Sequence, residues 1–174
     1  FMGRVIAIAE KIALISGRVT GWLAPIMMLL FVFEVFMRYI VHRPPMVADE
    51  FSAYMLVALA YLGMAYTWRQ GGHVRINILV MRFPPRAAFW THLFSLLVAT
   101  GFTYMLVHIS YQMVAYSFER GLKSSTWILT PLVWPQLTVF IGFVLLFLVV
   151  AVDLLAAISK IRHMTAPGGP LNDG

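Results

Sequence analysis

Only two charged side chains, Glu34 and Asp153, fall inside the four long apolar stretches of this chain, although it carries 13 Lys and Arg and seven Asp and Glu. The stretches lie at about 19–37, 51–68, 87–118 and 126–158. Each is close to or above the roughly 20 residues that a helix needs to cross the hydrocarbon of a bilayer. A helix is the form such a segment takes there, because without water each backbone N–H and C=O must find its partner within the segment. A membrane β-barrel would instead show short segments of alternating polarity. The sequence therefore predicts an all-α integral membrane protein with four transmembrane helices.

Composition excludes the main alternatives. Charged residues make up 11% of the chain and hydrophobic ones 61%, where a soluble domain carries about 25% charged residues. A soluble enzyme is not compatible with this balance. The net charge of +6 is read as inner loops facing lipid headgroups, so membrane lipids and not nucleic acid are the expected partners. With no cysteine, disulfides, thiolate catalysis and cysteine metal sites do not arise. The 174 residues suffice for one membrane domain, 1–165, and the Pro- and Gly-rich segment 166–174 reads as a disordered tail.

The segment before the first span differs in kind. Arg4, Lys11 and Arg18 recur every seven positions, while Ile8, Ile12 and Ile15 fall on another face. This pattern predicts an amphipathic helix over about 4–17 lying on the membrane surface; an early, charged start to the first span is the alternative. A cleaved signal peptide fits poorly, since the apolar stretch is long and no small-x-small site follows it.

Helix punctuation agrees with four spans. Asp49 is expected to cap the second helix, with Asp49 and Glu50 at its positive dipole end. Gly71 suits its C-terminus, Pro84 and Pro85 the start of the third helix, and Gly121 its end. Pro131 and Pro135 predict a fourth element in two parts, a short piece around 125–129 and a helix from about 135. The third stretch would be about 48 Å long as a helix, so it must tilt or project. Placing both termini in the cytoplasm puts Arg4, Lys11, Arg18, Arg69, Arg75, Arg82, Arg86, Lys160 and Arg162 inside, against Arg38, Arg43, Arg120 and Lys123 outside. The inner loops of membrane proteins carry the excess of basic residues, which favours this orientation. The five tryptophans all lie near span ends, at the depth where such rings collect.

Few residues carry chemistry. Glu34 and Arg38 stand four apart in the order that favours a local ion pair; an ion path or a partner helix is the other reading of the buried acid. Arg38 is also placed to meet Asp49 and Glu50 across the short outer hairpin, and the three are expected to form a polar cluster. Asp153, a turn from the inner end of the last helix, is expected to pair with an inner Lys or Arg. Gly72 and His73 belong to a glycine-rich inner loop, either an ordinary turn or a segment docked on a partner. Gly17 and Gly21 form a GxxxG pair, and Gly63, Ala65, Gly101 and Gly142 are further points of close helix approach. His92 and His108 raise the alternative of a haem- or quinone-binding anchor of an oxidoreductase. Being 16 residues apart, they lie about 24 Å and about 160° from each other on one helix, so they cannot hold one haem between them. His108 is instead expected to hydrogen-bond inside the bundle. No HExxH, phosphate loop, nucleophile elbow or dinucleotide fingerprint occurs. Neither a catalytic site nor a cofactor is expected.

Three stretches carry a resemblance over about residues 4–160. The first is Phe36-Met37-Arg38-Tyr39, a short loop with Pro44-Pro45, then Asp49-Glu50-Phe51-Ser52-Ala53-Tyr54. The second is Gly63-Met64-Ala65-Tyr66, then Arg69 and Gly72-His73-Val74-Arg75-Ile76. The third is Ser124-Ser125-Thr126, Thr130-Pro131, Trp134 and Gly142. In order and spacing the chain resembles the small membrane subunit of tripartite ATP-independent periplasmic (TRAP) transporters, the DctQ-like family. It departs from that family at Met46 and Val47, where a tryptophan is usual, and at Asn77, near which an acid is usual. The resemblance implies a scaffold and not an enzyme. A large multi-span partner would carry the substrate and sodium sites, and a periplasmic binding protein would deliver an organic acid such as a dicarboxylate or a sialic acid. The chain would sit in the bacterial inner membrane.

Overall fold

In the computed structural model, described for residues 2–42, 48–71, 85–125 and 129–164, the chain forms four long helices. They are α1 (Met2–Phe36), α2 (Ala48–Arg69), α3 (Pro85–Glu119) and α4 (Val133–Met164). All four are long and apolar enough to cross a membrane.

The segment 4–17 is not separated from the first span. α1 runs without a break from Met2 to Phe36, about 52 Å at 1.5 Å per residue. Ser16 and Gly17, which look like a boundary, do not act as one. The Ser16 hydroxyl donates back to the Ala13 carbonyl at 2.9 Å, and Thr20 to that of Ser16 at 2.8 Å. Both hydroxyls are thus satisfied within the helix. Ala9, Ala13 and Ser16 are buried, so this stretch contributes a packed face, while Arg4, Lys11 and Arg18 stay exposed. Pro25 lies inside α1, where its ring removes the backbone bond to Gly21; such breaks are tolerated in membrane helices. α1 passes into a π-helical turn, Met37–Val41, closed by the left-handed His42 (φ 55°), whose N–H bonds Met37 O.

The helices lie side by side in the order α1, α2, α4, α3, with a smaller contact between α1 and α4. Small residues set the spacing. Ala13, Ala65 and Val149 form the core where α1, α2 and α4 meet, with Trp68 and Leu145 against it. Gly17 lies beneath the Tyr66 ring, Gly63 against Thr20, and Gly142 against the backbone of Tyr61. Edge-on and tilted ring pairs complete the seams, Tyr61 with Phe143 between α2 and α4, and Tyr104 with Phe147 and Tyr111 with Phe140 between α3 and α4.

Residues 126–128, the middle of the short piece expected around 125–129, lie outside the described residues, and the residues on either side of them pair with each other. Ser124 N–H donates to Thr130 O at 2.8 Å and Leu132 N–H to Leu122 O at 3.0 Å, and Lys123 faces Pro131 in an antiparallel bridge. α3 is closed by Gly121, whose φ of 57° is the left-handed turn at its end. α4 then begins at Val133, ahead of the expected position. Pro135 falls in its first turn, where no intrahelical N–H bond is made, so it does not delay the start.

Candidate functional site

Both acids within the spans are engaged, one at each end of the bundle. Glu34 is 4% exposed. Its Oε1 accepts from Arg38 Nη2 at 2.7 Å, and its Oε2 from the backbone N–H of Ala48 at 2.9 Å. One carboxylate of α1 therefore neutralises a cation on its own helix and caps the first turn of α2. The cap expected from Asp49 comes instead from a residue 14 positions earlier. A carboxylate there also faces the positive end of the α2 dipole.

The expected cluster of Arg38 with Asp49 and Glu50 is replaced by two separate pairings. Arg38 turns back to Glu34. Glu50 is buried and accepts from the Tyr54 hydroxyl at 2.5 Å, a contact one helical turn along α2, with Ser124 of the α3–α4 connection beside the same hydroxyl. Asp49 is exposed. The reason is rotational: Asp49 and Glu50 are about 100° apart around the helix, so they cannot both face Arg38. Exposure ranks the parts. Arg38 is half exposed, and its loss leaves the buried Glu34 carboxylate with the Ala48 N–H, so it should cost about 1–2 kcal/mol. Glu34→Leu strips a buried N–H and a cation together and should cost about 2–4 kcal/mol. Denaturant titration of the two variants in detergent measures this contrast, and equal costs would contradict it.

At the other end, Asp153 of α4 accepts from Arg69 Nη1 at 3.0 Å and from the Trp68 indole N–H at 2.8 Å. Both partners are the last residues of α2. Arg69 Nε and Nη2 are buried with no hydrogen-bond partner, so Asp153 is the one acceptor that its guanidinium has among the described residues. Gly71 ends α2 with φ 70°. Gly72 and His73 lie outside the described residues.

The histidines stand elsewhere. His92 and His108 are exposed on α3. His108 does not turn into the bundle as expected; its Nε2 lies 3.1 Å from Gln112 Nε2 on the same helix. The faces of α3 that do pack carry Leu96, Thr103, Ser110 and Ser117, all buried. Among the described residues no group of three His, Asp or Glu is placed to hold a metal ion.

The sequence reading passed over Trp68 as a partner of Asp153, and Tyr54 as a partner of Glu50. The second was signalled by the i, i+4 spacing. The first joins residues 85 positions apart, and nothing local marks it.

A scan against protein families matches residues 27–160 to the DctQ component of tripartite ATP-independent periplasmic transporters. The chain belongs to the DctQ family. A search of curated proteins found no match to it. The matched range takes in Glu34, Arg38, Glu50, Arg69 and Asp153, so both ends of the bundle lie within the DctQ region. A DctQ chain is a component of a transporter and not a catalyst. Its four span-length helices make it a multi-pass protein of the inner membrane. The family implies association with a large membrane subunit and a periplasmic binding protein.

Proposed function

We propose that this DctQ chain is the scaffold of a sodium-coupled importer of organic acids, bracing the large transport subunit while a periplasmic binding protein delivers the substrate. The observation that carries the reading is how little of each span the chain buries for itself. In the most apolar window of α1, 6% of the residues are buried, and 22% in that of α4. A side-by-side row of apolar helices with two small polar clusters at its ends offers broad surfaces to lipid and to another membrane protein. It offers no row of charges along which a substrate or ion would travel. Substrate and sodium sites therefore belong on the large subunit, and this chain needs no cofactor of its own. The first turns of α1, with Arg4 and Lys11 exposed, rest at the headgroups of the inner face.

Uptake tests the role. Vesicles holding this chain and the large subunit, supplied with the binding protein and labelled organic acid, should accumulate substrate when a sodium gradient points inward. This chain alone should accumulate none. Full uptake by the large subunit without this chain would overturn the scaffold role.

The proposed orientation has both termini in the cytoplasm, following the basic residues. A single cysteine at the exposed Arg120 or Lys123 should react with a membrane-impermeant maleimide from outside. A cysteine at Arg4 or Gln70, also exposed, should react only after the membrane is opened. The reverse pattern would invert the topology.

A further inference from the structure

The expectation that His108 turns inward fails in an informative way. The span-length part of α3, Phe89–Glu119, is centred at about residue 104, so His108 lies about 6 Å from its midpoint and Gln112 about 12 Å. With this span centred in the bilayer, His108 lies within the hydrocarbon and Gln112 toward its edge, and both are exposed. They bond to each other at 3.1 Å, which uses one site on each. If the amide nitrogen donates to Nε2, the ring keeps its Nδ1–H as a donor and Gln112 keeps its amide oxygen as an acceptor. Lipid tails satisfy neither group. A lone polar side chain near the end of a span can reach the headgroups, but a histidine this close to the middle cannot.

The surroundings of the pair form a seam. Gly101, Met105, His108 and Gln112 recur at steps of four, three and four, the spacing of residues that meet a second helix. All four are exposed, and a Cβ at Gly101 would meet nothing within 4 Å, so the stripe includes a recess one turn from Met105. The seam that α3 already uses, through Thr103, Ser110 and Ser117, lies elsewhere: Ser110 is about 160° around the helix from His108. α3 packs principally on α4, which leaves the His108 stripe on the outer edge of the row.

We propose that this stripe docks on a transmembrane helix of the large partner subunit, with His108 and Gln112 hydrogen-bonding to a polar side chain of that helix and Gly101 admitting its backbone. This rests on the scaffold reading, which supplies the partner. A polar pair on the outer face of a span suits a protein partner and opposes lipid as the permanent occupant, and the recess at Gly101 suits close helix approach.

The test uses the two membrane subunits produced together. A photo-crosslinking benzoylphenylalanine at Met105 should give an adduct of this chain with the large subunit. His108→Leu and Gln112→Leu should lower the co-purified large subunit roughly three- to tenfold, the range expected for an interhelical hydrogen bond in a membrane. His108→Asn should restore part of it. Gly101→Leu should also lower it. None of these should markedly reduce the stability of the isolated chain, because the altered side chains are exposed in it and lose at most one bond along α3. An adduct between two copies of this chain, or no adduct while the large subunit still co-purifies, would overturn the docking face and leave the scaffold reading standing. Failure of the unaltered chain to co-purify with the large subunit would overturn both.

Discussion

Gly142→Leu should prevent α2 and α4 from closing on each other, and Gly142→Ala should already weaken the bundle. A Cβ at this position would lie 2.6 Å from the carbonyl carbon and oxygen of Tyr61 and 2.8 Å from its Cβ. The first two atoms are backbone and have no rotamer to escape into. The helices would have to separate, loosening the Tyr61–Phe143 edge contact at 5.1 Å between ring centroids and the packing of Val149 on Ala65. Overpacking of this kind costs about 1–3 kcal/mol for a methyl group, against a gain of about 1 kcal/mol in helix propensity when Gly becomes Ala. Leucine adds three more carbons to the same clash. Gly21→Ala is the control, since a Cβ there meets nothing within 4 Å, and it should be neutral or slightly stabilising. Denaturant titration in detergent would rank the three variants. A Gly142→Leu chain as stable as the unaltered one would mean that the two helices do not meet at this point.

Asp153→Ala should be among the most damaging single losses of a polar side chain. It removes the acceptor of the Arg69 guanidinium and of the Trp68 indole together. Arg69 already has two nitrogens without partners, so the variant leaves a cation held between helices with no acceptor among the described residues. Breaking a buried pair from one side costs about 3–5 kcal/mol. Arg69 and Asp153 side chains keep 18% and 26% of their exposure, and water reaching them brings the expectation down to about 2–3 kcal/mol. Arg69→Leu should cost less, since Asp153 keeps the indole N–H. Adding Arg69→Leu to Asp153→Ala should recover part of the loss, because the unpaired charge then disappears. If the double variant is no better than Asp153→Ala alone, the damage comes from the lost indole contact and not from the stranded guanidinium.

How far the sequence revealed these features depended on the range of the interaction. The four spans were legible because exclusion of charge from the hydrocarbon is written into every residue of a span. Small residues were legible as points of close approach, and Gly63, Ala65 and Gly142 lie against neighbouring helices. Gly101 was read by the same rule and faces open space. A glycine shows that approach is possible and not which helix approaches.

The site was harder. Local spacing suggested the Glu34–Arg38 pair, which the structure contains. Local rules also suggested Asp49 as a cap, and there a remote carboxylate from α1 took the place. The pairing of residues 122–124 with 130–132 was hidden by the prolines. Pro131 sits in a bridge, and Pro135 falls in the first turn of a helix where a break was expected. His108 was assigned to the interior because polar groups in spans usually point there, whereas it stands exposed on α3.

The row order α1, α2, α4, α3 also bears on how the chain is made. Helices leave the ribosome as α1, α2, α3, α4, yet the third is packed principally on the fourth. The first hairpin has its Glu34–Ala48 bond and its Gly17–Tyr66 contact as soon as α2 is complete. α3 must then wait in the bilayer beside no lasting neighbour, with Thr103, Ser110 and Ser117 turned toward lipid, until α4 inserts between it and α2. The row is thus completed only by the last helix synthesised, which carries the contacts that join α3 to the first hairpin.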